Sequence, residues 1–245
     1  MSTNIDLDSE LLAYIVEQGF QPGDRLPTIS ELQSSEHLGV SASKVREQLE
    51  VARALGLVEV KSKTGMKMKD FSFAPAVRLS LFIALAQDQH NFELFSELRN
   101  HIEVAFWLKA CKSLSAADIH EMRACVSAAR EKLDGKHVRI PVEEHRAFHL
   151  TIFRNLNNPF VMGLLEAYWD AYNAVELSRY SDYDYLQTVW DYHEQILDQI
   201  CLENFEQARE LFIEHTKLLR HQPRMQRIAR NEAAEIDPAP LEKET

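Results

Sequence analysis

Four histidines in the C-terminal half of the chain are spaced as metal ligands could be. In "EEHRAFHLTIF", His145 and His149 stand four residues apart, so on a helix they project from one face and can chelate one ion. His193 in "WDYHEQILDQI" and His215 in "ARELFIEHTKLL" flank a turn centred near Asn204 at similar distances. Two antiparallel helices joined there bring them to one level of a bundle, where they could converge on His149 in a three- or four-imidazole site. The same residues also fit a plainer reading, since a helical histidine pair is commonly a polar surface or a satisfied core group. With Glu143 and Glu144 beside it, such a cluster could also activate water, so a metal-dependent hydrolase on a helical bundle stands as an alternative function.

The elements that must position these residues follow from periodicity. From residue 74 onward the pattern is long, helical and poor in Gly and Pro, with seven expected segments near 75–89, 92–112, 116–133, 141–155, 159–178, 185–202 and 205–221. Asn91, Ser115 and Asn204 sit where N-caps belong, and Pro141 and Pro159 lie at first-turn positions. This half is expected to be an all-α antiparallel helical bundle over 73–222. Residues 223–245 carry Pro223, Pro238 and Pro240 without an apolar period and are expected to form a frayed or disordered tail. Trp169, Tyr172 and Trp190 are expected in the core.

Residues 1–72 read differently. A first helix over 6–17 carries Leu7, Leu11, Leu12, Ile15 and Val16 at helical spacing, and the break "GFQPGDRLP" follows. Thr28 caps a helix reaching about residue 36, Gly39 turns the chain, and Ser41 caps a third helix to about residue 55. Two short strands, 58–61 and 66–69, flank a polar turn ending in Gly65. Helix, helix, turn, helix and hairpin is the order of a winged helix-turn-helix, so the fold class is mainly α with that head in front of the bundle.

Such a head places the N-terminal end of its third helix in the major groove of double-stranded DNA. Ser41, Ser43, Lys44 and Arg46 occupy that end, and Lys63, Gly65 and Lys67 lie in the wing. The serines can donate to phosphate, and the basic residues can neutralise phosphate or contact guanine. The net charge of the chain is −11, which by itself argues against nucleic acid. Between residues 41 and 69, however, Lys44, Arg46, Arg53, Lys61, Lys63, Lys67 and Lys69 face only Glu47, Glu50 and Glu59, seven bases against three acids. Paired heads reading a palindromic operator imply a homodimer.

The bulk composition narrows the class further. The chain has 245 residues, 45% of them hydrophobic and 27% charged, enough for two domains. Acids stand near the N-terminus where a signal peptide needs bases, and the longest apolar stretch, near 79–86, is too short to span a bilayer. Cys111, Cys125 and Cys201 are widely spaced and outside any CxxC pair, which suits reduced thiols acting as small buried hydrophobes in a cytoplasmic protein.

Motif detail gives both halves a resemblance. The stretch "QPGDRLPTISELQSSEHLGVSASKVREQLEVARALGLVEVKSKTG" resembles the GntR family of bacterial regulators, whose pattern is PGxxLPSExxLA, LGVSRxPVRxAL and LxxxGLV before a glycine-bearing wing. Pro22, Gly23, Leu26, Pro27, Glu31, Leu32, Leu38, Gly39, Val40, Ser41, Val45, Arg46, Leu49, Gly56, Leu57, Val58 and Gly65 fall in place. Two arginines that typically contact DNA in such proteins are replaced here by Ser30 and Ala42. Their loss leaves open a sensor or interaction module with weakened DNA binding.

Residues 74–221 look like the FCD sensor domain of the fatty-acid-regulator branch of that family, through "ELRNHIEVAFWLKA", "HRAFHLTIFRNLNNPF", "YHEQILDQICLENFEQA" and "FIEHTKLL". The resemblance implies that His149, His193 and His215 are metal ligands and that His145 replaces the family's aspartate. It also implies that Arg99 projects into the sensor cavity, although Arg99 is equally placed to pair with Glu103 one turn along. An all-nitrogen site favours zinc, nickel or copper over harder ions, with zinc expected; otherwise His145 turns away and Glu144 or water completes the shell. A guanidinium beside an open metal position suits a small organic or sugar acid. The function implied is a metabolite-responsive DNA-binding transcriptional regulator, not an enzyme.

Overall fold

In the structure, a computed structural model, residues 6–63, 65–136, 138–175 and 183–218 are described. The N-terminal head is built by helices that close their own ends. Ser9 accepts from Leu12 N–H to start α1 (Glu10–Gln18), and Gly19 ends it at a φ of +67°. Thr28 and Glu31 form a capping box on α2 (Ile29–Leu32), and Ser41 accepts from Lys44 N–H at the start of α3 (Ala42–Ala54). These bonds occupy backbone donors that a helix start otherwise leaves unpaired. Strands β1 (Val58–Lys61) and β2 (Gly65–Met68) pair antiparallel, with Val58 opposite Met68 and Lys61 opposite Gly65. Arg25 adds an antiparallel bridge to Lys67 on the free side of the wing.

Leu11, Ile15, Leu26, Leu32, Val45, Leu49, Val58 and Met66 form the core of the head. Gln48, buried on α3, accepts from Leu11 N–H and donates to the Glu10 carboxylate, which clamps the start of α1 to α3. Helix α1 begins later than expected because Ser9 takes the cap, and Asp8 ahead of it has a φ of +49°. Helix α2 stops at Leu32, short of residue 36. Beyond it, Gly39 N–H and His37 N–H both turn back to Ser34 O, and those turns replace the helical pattern.

The bundle comprises α4 (Ala74–Gln87), α5 (Asn91–Cys111), α6 (Ala116–Asp134), α7 (Val142–Phe153), α8 (Pro159–Ala174), α9 (Tyr183–Cys201) and α10 (Phe205–Leu218). Ser115 and Asp118 form a capping box on α6, and Asn158 caps α8 with Pro159 in its first turn. Asn91 is not a cap. It lies inside α5, and its side-chain amide donates to Ala84 O and Asp88 O, tying α5 to the end of α4. Asn204 directly precedes α10, and α8 ends at Ala174, before the expected 178. Residues 176–182, the end of the last expected helix and the expected tail 223–245 lie outside the described residues.

Helix α10 packs on α9, α6 on α7 and α9, and α4 on α8. Trp107, Phe148, Phe153, Trp190 and Phe212 fill the main core, while Phe92, Tyr168, Trp169 and Tyr172 form a second cluster with Leu81 and Leu85 of α4. Cys111 and Cys125 are buried, and burial pushes their thiols up to about 12 and about 11. Cys201 departs from expectation. It is exposed, because it ends α9 where the chain turns toward α10, with its Sγ 3.3 Å from Arg123 Nη2.

Helix α4 joins the two halves at two bare glycines. A Cβ on Gly163 of α8 would stand 2.6 Å from Ala74 N and 2.8 Å from Phe73 C. A Cβ on Gly56, between α3 and β1, would stand 2.6 Å from Pro75 Cγ. The absence of side chains there lets the start of α4 touch the head and α8 together. Among the described residues no helix is long and apolar enough to cross a membrane.

Candidate metal centre and nucleic-acid interface

The bundle brings the four histidines together. The four-residue spacing on α7 puts the His145 and His149 rings on one face, 5.1 Å apart between centroids. The turn after α9 carries Glu203 at a φ of +59° and sends α10 back antiparallel, so the His193 and His215 rings meet at 4.4 Å. One ligand-capable atom from each of the four lies within 4.8 Å of every other. All four side chains are buried. Glu144, the alternative fourth ligand, instead pairs with Lys132 at 2.6 Å.

Arg99 and Glu103 on α5 close the centre from the other side. Arg99 Nε lies 2.5 Å from Glu103 Oε2, an ion pair without an aligned hydrogen bond. Arg99 Nη2 donates to His149 Nδ1 at 2.9 Å, and Nη1 donates to Asn100 Oδ1 at 3.1 Å. The guanidinium stacks 4.5 Å over Tyr168 and 5.5 Å from the Trp169 ring centre, a cation–π arrangement on α8. Arg99 thus both reaches the centre and makes its one-turn pairing. The indole of Trp169 also meets His145 edge-on at 4.6 Å.

Burial governs the electrostatics. It holds His145, His149 and His215 well below the ordinary histidine range, and the positive neighbours, Arg99 above all for His149, push the same way. His193 falls to about 3 for the same first reason, although its bond to Val189 O opposes the shift. The four imidazoles are therefore neutral near pH 7, the form that ligates metal. Burial raises Glu103 to about 7 against the pull of Arg99.

Among the described residues, every buried side-chain nitrogen or oxygen without a hydrogen-bond partner belongs to this neighbourhood: Arg99, Glu103, His145, Tyr168, Trp169 and His215. Buried polar groups are normally paired, so the concentration of orphans marks a place built for something polar. The orphaned His145 Nε2 and His215 Nδ1 are free donors for a cation. A tetrahedral zinc with bonds near 2.0–2.1 Å needs nitrogens about 3.4 Å apart. The His149–His193 pair already meets this at 3.2 Å, while the widest separation must shrink by more than an ångström. The donor set fits a borderline transition metal. A small cavity lined by Pro141, Tyr172, Leu186 and Trp190 adjoins His145.

On the head, Ser41, Ser43, Lys44 and Arg46 are all exposed along one edge of α3, opposite the buried Val45, Gln48, Leu49 and Ala52. Lys63 and Lys67 are exposed on the wing. Gly65 has a φ of +73° and opens β2, and the Arg25 guanidinium lies 3.5 Å from where its Cβ would be. Arg25 escaped the sequence reading, because it sits in a Gly/Pro-rich break and only the bridge to Lys67 brings its charge to the wing. Glu103, Tyr168 and Trp169 were likewise not read as parts of the centre. The one available signal was the four-residue spacing of Arg99 and Glu103.

Comparison with known proteins agrees with both halves. The family model for "Bacterial regulatory proteins, gntR family" matches residues 6–68, and that for the "FCD domain" matches residues 94–218, half of the chain. Two curated relatives come from Bacillus subtilis (strain 168). The HTH-type transcriptional regulator LutR is 26% identical over 80% of this chain and 89% of its own length. The uncharacterized HTH-type transcriptional regulator YcbG is 24% identical over 86% of each. A solved structure of a Streptococcus agalactiae GntR protein shares the fold, with a TM-score of 0.63 at 19% identity over 86% of this chain and 95% of that one. These proteins are regulators, and the hydrolase alternative falls with that finding. The winged head in front of the helical bundle therefore has its family: the chain belongs to the GntR-family helix-turn-helix transcriptional regulators that carry an FCD domain.

Proposed function

We propose that this regulator binds a palindromic operator as a homodimer and that a small organic or sugar acid controls it through a divalent transition metal in the four-histidine centre. The observation that carries the reading is the convergence of four buried, neutral imidazoles with a buried arginine, where the orphaned polar atoms of the described residues also gather. His145, His149, His193 and His215 would hold the ion, zinc by preference, with nickel or copper as alternatives. When bound, the ion would take an oxygen of the acid as a fifth ligand, or in place of His145 where only His149, His193 and His215 hold it. Arg99 is the cationic clamp for its carboxylate.

The domains divide near residue 72, with the reading head before it and the sensor after it. Ser41, Ser43, Lys44, Arg46, Lys63, Gly65 and Lys67 meet DNA, and Arg25 adds charge at the wing while Ser30 and Ala42 withhold it at α2 and α3. Pairing uses the apolar side of the bundle, where Leu79 and Ile83 of α4 and Leu94 and Leu98 of α5 are about half exposed, an unusual cost for a monomer. The protein works in the cytoplasm, where operator and metabolite meet.

The test combines native mass spectrometry and elemental analysis with operator selection from random DNA. One zinc or nickel ion per chain, lost in His193→Ala, and a palindromic selected site support the reading. A metal-free protein after growth and reconstitution with zinc, or failure to enrich any site, overturns the corresponding half.

A further inference from the structure

His149 makes hydrogen bonds that fix its proton. A guanidinium only donates, so the 2.9 Å bond from Arg99 Nη2 makes His149 Nδ1 an acceptor without a proton. The proton of this neutral ring is then on Nε2. The opposite holds for His193. Its Nδ1 lies 2.7 Å from Val189 O, which only accepts, so that nitrogen carries the proton and Nε2 bears the lone pair. The 3.2 Å contact between the two Nε2 atoms is accordingly a bond from His149 to His193. His193 is set for a metal, and His149 is not: the nitrogen it turns to the cluster is protonated.

We propose that Glu103 is a positioning residue that accepts the His149 Nδ1–H when a metal occupies the centre, and that this exchange releases Arg99 Nη2 to an incoming carboxylate. The proposal rests on the metal reading above. Ligation through His149 Nε2 moves its proton to Nδ1, with none gained or lost overall. An Nδ1–H cannot face a guanidinium N–H at 2.9 Å, and Glu103 Oε1 stands 3.5 Å from the same atom with no other hydrogen bond. Carboxylates commonly take this place behind metal-bound histidine, where they fix the tautomer and raise ligand basicity. Arg99 remains anchored by Nε to Glu103, by Nη1 to Asn100 and by its stack on Tyr168 and Trp169. Only Nη2 is freed. Metal binding thereby prepares the carboxylate clamp, and the two ligands are positively linked.

The deciding measurement is a long-range proton–nitrogen correlation spectrum of the full chain labelled with 15N-histidine, chelator-treated and then zinc-loaded, with His149 assigned by its loss in His149→Gln. Without zinc, Nδ1 is expected to resonate as an unprotonated nitrogen and Nε2 as a protonated one; with zinc, Nδ1 becomes the protonated atom. A protonated Nδ1 before zinc, or an unprotonated one after it, overturns the exchange while leaving the metal reading standing. Failure to take up zinc overturns both. In parallel, chelator competition is expected to show a 10–100-fold loss of zinc affinity in Glu103→Leu and a smaller loss in Glu103→Gln, whose amide oxygen still accepts. Equal affinities in folded variants also count against the proposal, and the wild-type spectra decide it if Glu103→Leu does not fold.

Discussion

Arg99 Nη2 and His149 Nδ1 lie 2.9 Å apart although 50 residues separate them in the chain. The bond holds α5 against α7, and it sits beside the buried Arg99–Glu103 ion pair. Removing one member of a buried pair strands the other, at about 3–5 kcal/mol, whereas replacing both with apolar groups is often neutral. Arg99→Met is expected at the lower end, because Glu103 can retreat to its neutral form. Urea denaturation of Arg99→Met, Glu103→Leu and the double variant checks this. The double variant should be more stable than the sum of the single losses, and strict additivity would disprove the coupling.

Metal should stabilise the folded chain. Zinc at a thousand times its dissociation constant adds about 4 kcal/mol, read as a rise in melting temperature that chelator reverses. His145→Asp replaces a neutral nitrogen with an anionic oxygen and is expected to shift selection toward harder ions such as manganese. Metal content after equilibration with equimolar zinc and manganese reports it. An unchanged ratio would place His145 outside the coordination shell.

Acid should unfold the metal-free protein. The four histidines have folded pKa values depressed below 6.5, so the unfolded chain binds the extra protons and stability falls as pH drops through 6.5. Glu103, raised to about 7, opposes this: between roughly pH 4.5 and 7 it takes its proton preferentially in the folded state. Four protons against one leave three, a limiting slope of about 4 kcal/mol per pH unit near pH 5.5. Denaturant titrations from pH 7.5 to 5 on chelator-treated protein measure the slope, and a flat profile would contradict the burial of neutral imidazoles.

The exposed edge of α3 and the wing should set the salt dependence of DNA binding. Each phosphate contact contributes about 0.9 to the slope of log K against log salt. Lys44→Ala and Lys67→Ala are each expected to flatten it by about that amount. Arg46→Ala should cost about 1–3 kcal/mol and relax preference at one base pair if it reads guanine. Fluorescence anisotropy between 50 and 200 mM salt on a selected operator distinguishes these outcomes. Variants that keep the wild-type slope would move the interface elsewhere.

The glycine at the joint is expected to tolerate no side chain. A methyl on Gly163 meets backbone atoms of residues 73 and 74 at 2.6–2.8 Å, and backbone cannot step aside as a flexible side chain can. Overpacking of this kind costs about 1–3 kcal/mol. Gly163→Ala should lower the melting temperature by several degrees while keeping metal stoichiometry, because the four histidines lie on other helices. A variant as stable as wild type would show that α4 and α8 can separate freely.

Much of this protein was legible in its sequence because the signals are local. Capping by Thr28, Ser41 and Ser115, the pause at Gly39 and the four-residue spacing of His145 and His149 each depend on a few neighbouring residues. Helix periodicity with a short turn before α10 sufficed to bring His193 and His215 to one level. Where local signals competed, the reading slipped: Asn91 has the chemistry of a cap, yet bonds to Ala84 O and Asp88 O from inside α5, and Leu32 ends α2 because turns onto Ser34 O take over. Tertiary structure alone decided the rest. Arg25 reaches the wing through a strand bridge to Lys67, and Tyr168 and Trp169 underlie Arg99 because α8 crosses α5. The sequence supplied the four imidazoles and the arginine, but packing of α5 against α7 made a single guanidinium the partner of both Glu103 and His149. Hydrogen-bond partners and desolvation depend on distances between helices, and those follow from the packed core rather than from spacing along the chain.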